Sequence, residues 1–312
     1  MTAIDPRRTD LYVSAATFLH QHELHPDPNT YLAHGYVDLC LRAWPGAADA
    51  PLHLATQWAL WTWLADDVFD QDLWSASRQE VEDLVGDLVS VVHEDGGAAP
   101  GDHPVVAALA DLVERTRPTM PDWWWARYRA GVETWVLAAA DKLQRFVQPG
   151  RTPTLREYQV LRPADGGMLL AAQWCELAHQ VVTSDWRDPL VQLLLAAFST
   201  VGCLTNDLAA GADDTFNAVH ALAVAEGLAP GQARERIGEL LKAEVHRFWW
   251  VYSAVRNEVA AEALLGVEAS RLALDTGRFA WALDQFRVAL ADWTRTSSRY
   301  ALAPPASTAG AA

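Results

Sequence analysis

Positive charge is scarce in this chain of 312 residues. Lys and Arg number 24 against 40 Asp and Glu, a formal charge of −16, and no basic run of any length occurs. That balance excludes nucleic acid and anionic membrane surfaces as partners, because both are held by clustered cations. Cysteine is nearly absent: Cys40, Cys175 and Cys203 stand far apart, which excludes a disulfide framework or a cysteine-based zinc site. Cys175 and Cys203 read as small apolar fillers. The opening MTAIDPRRTD lacks the apolar segment of a signal peptide, and the expected setting is reducing and cytoplasmic. No window reaches the roughly 18 uncharged apolar residues of a membrane span. The ten His show no metal-ligand spacing, and His103, His179 and His220 read as capping or core residues.

Strand signals are missing too. Alternation is rare, turn signals fall a helix length apart, and no repeat or linker divides the chain, so the expectation is one all-α domain of roughly ten to twelve helices. Ser77 with Glu80 three residues later forms a capping box before the helical stripe 81, 84, 85, 88, 89 and 92. A loop is expected at 94–104, and one long helix at 122–147. Pro163 and Gly166-Gly167 interrupt a helix within 155–182, and an apolar helix spans 190–209. Further helices are expected at 215–226, 230–257, 258–275 and 278–296, before the low-complexity tail.

What the chain has in abundance is tryptophan, 15 residues of it. Trp123 to Trp125 and Trp249-Trp250 read as core or surface-covering residues. The stretch WALWTWLADDVFDQD, Trp58 to Asp72, sets Asp66, Asp67 and Asp70 at the end of an aromatic run. Asp66 and Asp70 share a helix face with Ala59, Thr62 and Trp63. A carboxylate cluster on an apolar face gains nothing unless a cation sits there, which suggests hard divalent ions at the mouth of an apolar cavity. A second polar site ends the run LLLAAFSTVGCLTND, where Asp214 lies two helical turns beyond Asn206. Amide and carboxylate oxygens suit Mg²⁺ rather than zinc or copper. Two such sites across a bundle would clamp a strongly anionic guest, and diphosphate is the natural one.

On these residues the chain resembles the class I terpene cyclases of bacterial type. Asp66-Asp67-x-x-Asp70 looks like their aspartate-rich motif, and Asn206-Asp207 with Asp214 looks like their second metal motif. Arg162, Asp165 and Gly166 resemble the diphosphate-sensing arginine, linker and effector at a break in a central helix. Trp293 followed by Arg299-Tyr300 resembles the terminal pair that hydrogen-bonds diphosphate. Ala210 stands where the family has Ser or Thr, Asp214 where it has Glu, and Asp213 where Lys is usual. Gly211 interrupts the motif, and Asn217 follows it unusually soon.

The resemblance implies an antiparallel helical bundle around a central apolar cavity, spanning 1–303, with a flexible tail at 304–312. It implies metal ligation by Asp66, Asp67, Asp70, Asn206 and Asp214, with three Mg²⁺ ions and a site at Asn206 and Asp214 that Ala210 weakens. Catalytic roles fall to Arg162, Asp165, Gly166, Arg299 and Tyr300, and Trp63, Phe69, Trp174, Trp281 and Trp293 would line the cavity. The implied activity is that of a carbon–oxygen lyase. It would ionise a linear isoprenoid diphosphate, geranylgeranyl (C20) ahead of farnesyl (C15), and cyclise the cation. The partners implied are that small-molecule substrate and, at most, a second copy of the chain as a homodimer. The rival readings are a cyclase for a bicyclic diterpenyl diphosphate, a trans-prenyltransferase and a catalytically silent helical binding protein.

Overall fold

The computed structural model describes residues 5–94, 103–181, 186–211, 214–265 and 267–300. Asp213, the tail at 304–312 and most of the expected loop at 94–104 lie outside them. Thirteen α-helices and no strand occur among the described residues. In chain order they are α1 Arg8–Gln21, α2 Pro28–Leu32, α3 Tyr36–Ala43, α4 Asp49–Asp67, α5 Arg78–His93, α6 Pro104–Thr116 and α7 Asp122–Lys142. Then follow α8 Leu155–Asp165, α9 Met168–His179, α10 Pro189–Ala209, α11 Ala218–Glu226, α12 Pro230–Glu262 and α13 Val267–Thr296.

Local chemistry sets many of these boundaries. Ser77 N–H donates to Glu80 Oε2 at 2.7 Å and Glu80 N–H donates to Ser77 Oγ at 3.3 Å, closing the box that starts α5. Thr154 and Glu157 start α8 in the same way. Proline occupies the first turn of α6, α10 and α12, where its missing N–H is no loss. Both α4 and α7 run on into a single turn of π-helix, Val68–Asp72 and Leu143–Val147, and these two turns touch. Such wide turns are rare and concentrate at functional sites.

Two boundaries differ from the sequence expectation. The break between the last long helices falls at 263–265, not at 258 or 276–277. Gly277 sits inside α13 and makes no turn; a Cβ there would come within 3.4 Å of Val259 Cγ1 of α12, about ordinary contact. The other difference lies just beyond α10, which ends at Ala209 as expected but with Ala210 already in extended conformation. Asp214 is therefore not on the helix that carries Asn206. The Asn217 amide donates to the Asp207 carbonyl at 2.9 Å, and the Ala218 N–H donates to Asp207 Oδ2 at 2.9 Å, which fixes the chain's turn away from the axis.

Helix α10 is also long and apolar enough to cross a membrane, contrary to the expectation that no window qualifies. It packs against α9, α12 and α13, with 56% of its most apolar window buried, as a core helix does. The main core fills the space between α1, α3, α4, α6, α7, α9, α10 and α13, and Trp44, Trp58, Trp61, Trp124 and Trp293 are fully buried in it. Trp123, Trp249 and Trp250 are exposed.

Among the charged groups buried inside the protein, Glu176 lies deepest. Glu176 of α9 is 0% exposed; it accepts from Trp124 Nε1 at 2.8 Å and Trp186 Nε1 at 3.0 Å, and pairs with Arg127. Burial pushes its carboxyl up to about 7, against the pull of Arg127. Because the folded value lies above the unfolded one, Glu176 contributes stability below about pH 4.5 that is lost as pH rises through 7. Glu176→Gln should flatten that decline in a pH series of urea unfolding curves. Glu176→Ala should cost about 3–5 kcal/mol, because it leaves Arg127 and two indole N–H groups unpaired.

Candidate active site

One cavity of about 210 Å³ brings most of the predicted site together. Asp66, Asp70, Arg162, Asp165, Gly166, Asn206, Asp214, Arg299 and Tyr300 line it, along with Trp63, Trp174 and Trp293. Three predicted residues are placed elsewhere. Phe69 is fully buried with its ring edge-on to Trp135, the centroids 6.4 Å apart. Trp281 packs against the His179 ring at 5.3 Å. Asp67 turns away from the cavity to meet Arg299, whose Nη1 and Nη2 donate to its two oxygens at 3.0 and 2.6 Å.

The acidic wall comes from the last turn of α4 and the π-turn that follows. Asp66 and Asp70 converge there on Lys142, the last residue of α7. Its Nζ lies 3.2 Å from Asp66 Oδ1, 2.8 Å from Asp70 Oδ1 and 3.2 Å from Asp165 Oδ1. Burial alone would drive the Lys142 ammonium toward neutrality, but the carboxylates of Asp165, Asp66 and Asp70 hold it well above its ordinary value. Burial pushes the Asp70 carboxyl up to about 7, with Lys142 pulling the other way. Lys142 was not singled out from the sequence. The available signal was a lone lysine on the stripe Trp135, Ala138, Ala139 and Lys142, all of them buried.

Asp165 divides its carboxylate between two cations. Oδ1 faces Lys142, and Oδ2 accepts from Arg162 Nη1 at 2.8 Å. The other guanidinium branch, Arg162 Nη2, donates to Asn206 Oδ1 at 2.8 Å and Asp207 Oδ1 at 2.6 Å. Asp207 is held further by Tyr158 Oη at 2.6 Å, so its lone pairs are committed inside the protein. Asn206 Nδ2 donates in turn to Tyr300 Oη at 2.8 Å. Tyr158, Tyr36 and Asp207 are thus the partners that position both arginines, with Tyr36 Oη 3.0 Å from Arg299 Nη1.

The helix break beside this network depends on small residues. Gly167 adopts φ +63°, a left-handed conformation natural to glycine. At Gly166 the constraint is space: a Cβ would lie 2.5 Å from Cys203 Sγ. An aromatic wall faces the break. Trp63 lies 5.4 Å from Trp293 and 6.3 Å from Trp174, centroid to centroid, and Trp293 meets Tyr300 edge-on at 5.4 Å. Trp293 Nε1 donates to the His34 carbonyl at 2.8 Å, which fixes the ring.

The donor set fits a divalent cation unevenly. Asp66 and Asp70 offer hard oxygens to the cavity, although Asp70 Oδ1 already lies 2.8 Å from the Lys142 ammonium and a metal would have to share it. On the opposite side Ala210 offers no side-chain oxygen. Asp214 accepts from Phe216 N–H at 3.1 Å and Asn217 Nδ2 at 3.3 Å, and Asn206 Oδ1 is taken by Arg162. Burial raises the Asp214 carboxyl above its ordinary range, opposed chiefly by Arg162. Among the described residues no three Asp, Glu, His or Cys side chains form a closed metal cage.

The packing at the break yields a direct test. Gly166→Ala should lower the melting temperature by several degrees through its collision with Cys203. Cys203→Ala in the same chain should restore part of the loss, read by differential scanning calorimetry.

Known proteins resemble this chain in sequence and in fold. A sesquiterpene synthase of Metarhizium guizhouense (strain ARSEF 977) is 26% identical over 174 residues, covering 54% of this chain and 49% of that protein. Bonnadiene synthase of Allokutzneria albata is 26% identical over 279 residues, 84% of this chain and 72% of that protein. The chain spans about half the length of the sesquiterpene synthases it matches. The crystal structure of germacradien-4-ol synthase from Streptomyces citricolor superposes with a TM-score of 0.80 at 21% identity, over 93% of this chain and 94% of that one. Linalool/nerolidol synthase from Streptomyces clavuligerus, in complex with 2-fluorogeranyl diphosphate, gives 0.80 at 22% identity, over 94% and 100%. At those identities the likeness shows the shared all-α fold. Residues 57–247, more than half of the chain and holding both acidic stretches and the helix break, match terpene synthase family 2, C-terminal metal binding, and the chain belongs to that family.

Proposed function

We propose that this chain is a class I terpene cyclase, a carbon–oxygen lyase that ionises a linear isoprenoid diphosphate and closes the resulting cation into a terpene. The observation that carries the reading is the convergence in one cavity of an acidic pair, an arginine at a helix break and a wall of tryptophans. Magnesium, held by Asp66 and Asp70 on one side and by Asn206 and Asp214 on the other, would neutralise the charge of the diphosphate leaving group. Up to three ions are in keeping with two facing sites.

The chain's own residues do the rest. Arg162 and Arg299 present guanidinium forks suited to phosphate oxygens, and each is pre-aimed by an internal carboxylate, Asp207 or Asp67. Tyr300 adds a hydroxyl donor from its place beside Asn206. An anion that draws Arg162 toward itself pulls on Asp165 and therefore on Gly166, at the end of the same helix. The Gly166 carbonyl and the faces of Trp63, Trp174 and Trp293 would then meet the developing cation in a space closed to water.

Two observations weight the substrate toward C15, reversing the order expected from the sequence. The cavity of about 210 Å³ is small beside the roughly 300–1,000 Å³ of typical ligand pockets. Relatives such as the (+)-T-muurolol synthase of Roseiflexus castenholzii are named as cyclising farnesyl diphosphate. The three cysteines are buried thiols, in keeping with a cytoplasmic setting.

Incubation with geranyl, farnesyl and geranylgeranyl diphosphate plus Mg²⁺, read by diphosphate release and by gas chromatography with mass spectrometry, tests the proposal. A cyclic product from farnesyl diphosphate is expected; no release from any of the three would refute it. Asp66→Ala should abolish turnover while Asp214→Ala only reduces it, about 10- to 100-fold, because Asp214 already spends its oxygens on the backbone turn. Equal residual activity in the two variants would count against that asymmetry.

A further inference from the structure

Among the described residues, Lys142 is a buried cation that contacts both Asp66 and Asp70 of the acidic wall. Its side chain is 6% exposed, it is not among the described residues lining the cavity, and yet it touches Asp66, Asp70 and Asp165. A ligand entering the cavity therefore meets the carboxylates first, with the ammonium fixed on their far side. From this arrangement we infer that Lys142 is a positioning residue that keeps the wall from holding a divalent cation by itself, so that metal is retained only together with the anionic group of the substrate. The inference rests on the reading of Asp66 and Asp70 as metal ligands.

The physical argument is one of competing counter-charges. Three carboxylates gathered within reach of one point form a hard-oxygen site for a divalent ion unless another cation already compensates them. Lys142 is that cation, and α7 holds it there: Trp135, Ala138 and Ala139 pack the preceding turns into the core, and the π-turn Leu143–Val147 follows directly. Two of the acceptor atoms, Asp70 Oδ1 and Asp165 Oδ1, have no hydrogen-bond donor and are compensated by charge alone. With the ammonium in place the wall is partly neutralised, and a metal ion gains enough only when diphosphate supplies further oxygens. Without it, Asp66 and Asp70 lose their shared counter-charge, and Asp165 keeps only Arg162.

The test is a gain of function. Mn²⁺ binding is followed by the loss of its free electron paramagnetic resonance signal, for the wild type, Lys142→Met, Lys142→Gln and Lys142→Arg, each with and without inorganic diphosphate. The wild type and Lys142→Arg should take up Mn²⁺ tightly only with diphosphate. Lys142→Met and Lys142→Gln should bind Mn²⁺ alone at least about tenfold more tightly than the wild type. Should either neutral variant be unfolded without metal, Mn²⁺ should restore its helical circular dichroism at concentrations that leave the wild-type melting temperature unmoved. Neutral variants that bind Mn²⁺ alone no better than the wild type, or that stay unfolded in its presence, would overturn the inference while a diphosphate-dependent wild type leaves the cyclase reading intact. A wild type that takes up no Mn²⁺ even with diphosphate would overturn both.

Discussion

The carboxylate of Asp165 sits between Lys142 and Arg162, and the site is arranged around that double ion pair. Lys142 ties it to the aspartate-rich end of α4, and Arg162 ties it to Asn206 and Asp207 at the end of α10. One buried carboxylate thus links four helices, α4, α7, α8 and α10. Such pairs add little net stability, since the desolvation of each charge offsets most of the attraction. Their effect is to leave few alternative arrangements, because moving any one partner strands another buried charge.

The irregular backbone follows from the same demand. Two α-helices widen into π-turns where Asp70 and Lys142 meet, and α8 stops at Gly166 so that Asp165 can face both cations. Cys203 then packs so close to Gly166 that no side chain fits there. On the other side, Asn217 and Ala218 bind back to Asp207 and turn the chain away from the α10 axis beyond Ala209. The two acidic sites are consequently unlike: one on continuous helix and paired with a lysine, the other split between the end of α10 and the turn at Asp214, with side-chain oxygens that already have partners.

Local signals made much of this legible in the sequence. The capping box at Ser77 and the break at Gly166-Gly167 depend on neighbours a few residues away, and both are found where they were expected. The features that were not legible depend on distant partners. Nothing near Asp67 shows that Arg299, far along the chain, takes its carboxylate out of the cavity. Nothing near Lys142 shows three aspartates from two other segments. Phe69 shares the acidic stretch yet is turned into the core against Trp135. Asp214 was placed on a helix by spacing, and side-chain bonds from Asn217 overrode that spacing.

The central claim is that the arginines and the acidic wall, now satisfied by internal partners, form a single receptor for a metal-bound diphosphate. A crystal structure with Mg²⁺ and inorganic diphosphate tests it most directly. The account predicts the anion in the cavity with metal on Asp66 and Asp70, and with Arg162 and Arg299 donating to it after releasing at least one bond each to Asp207 and Asp67. Diphosphate bound elsewhere, with both arginines still on their internal carboxylates, would contradict it.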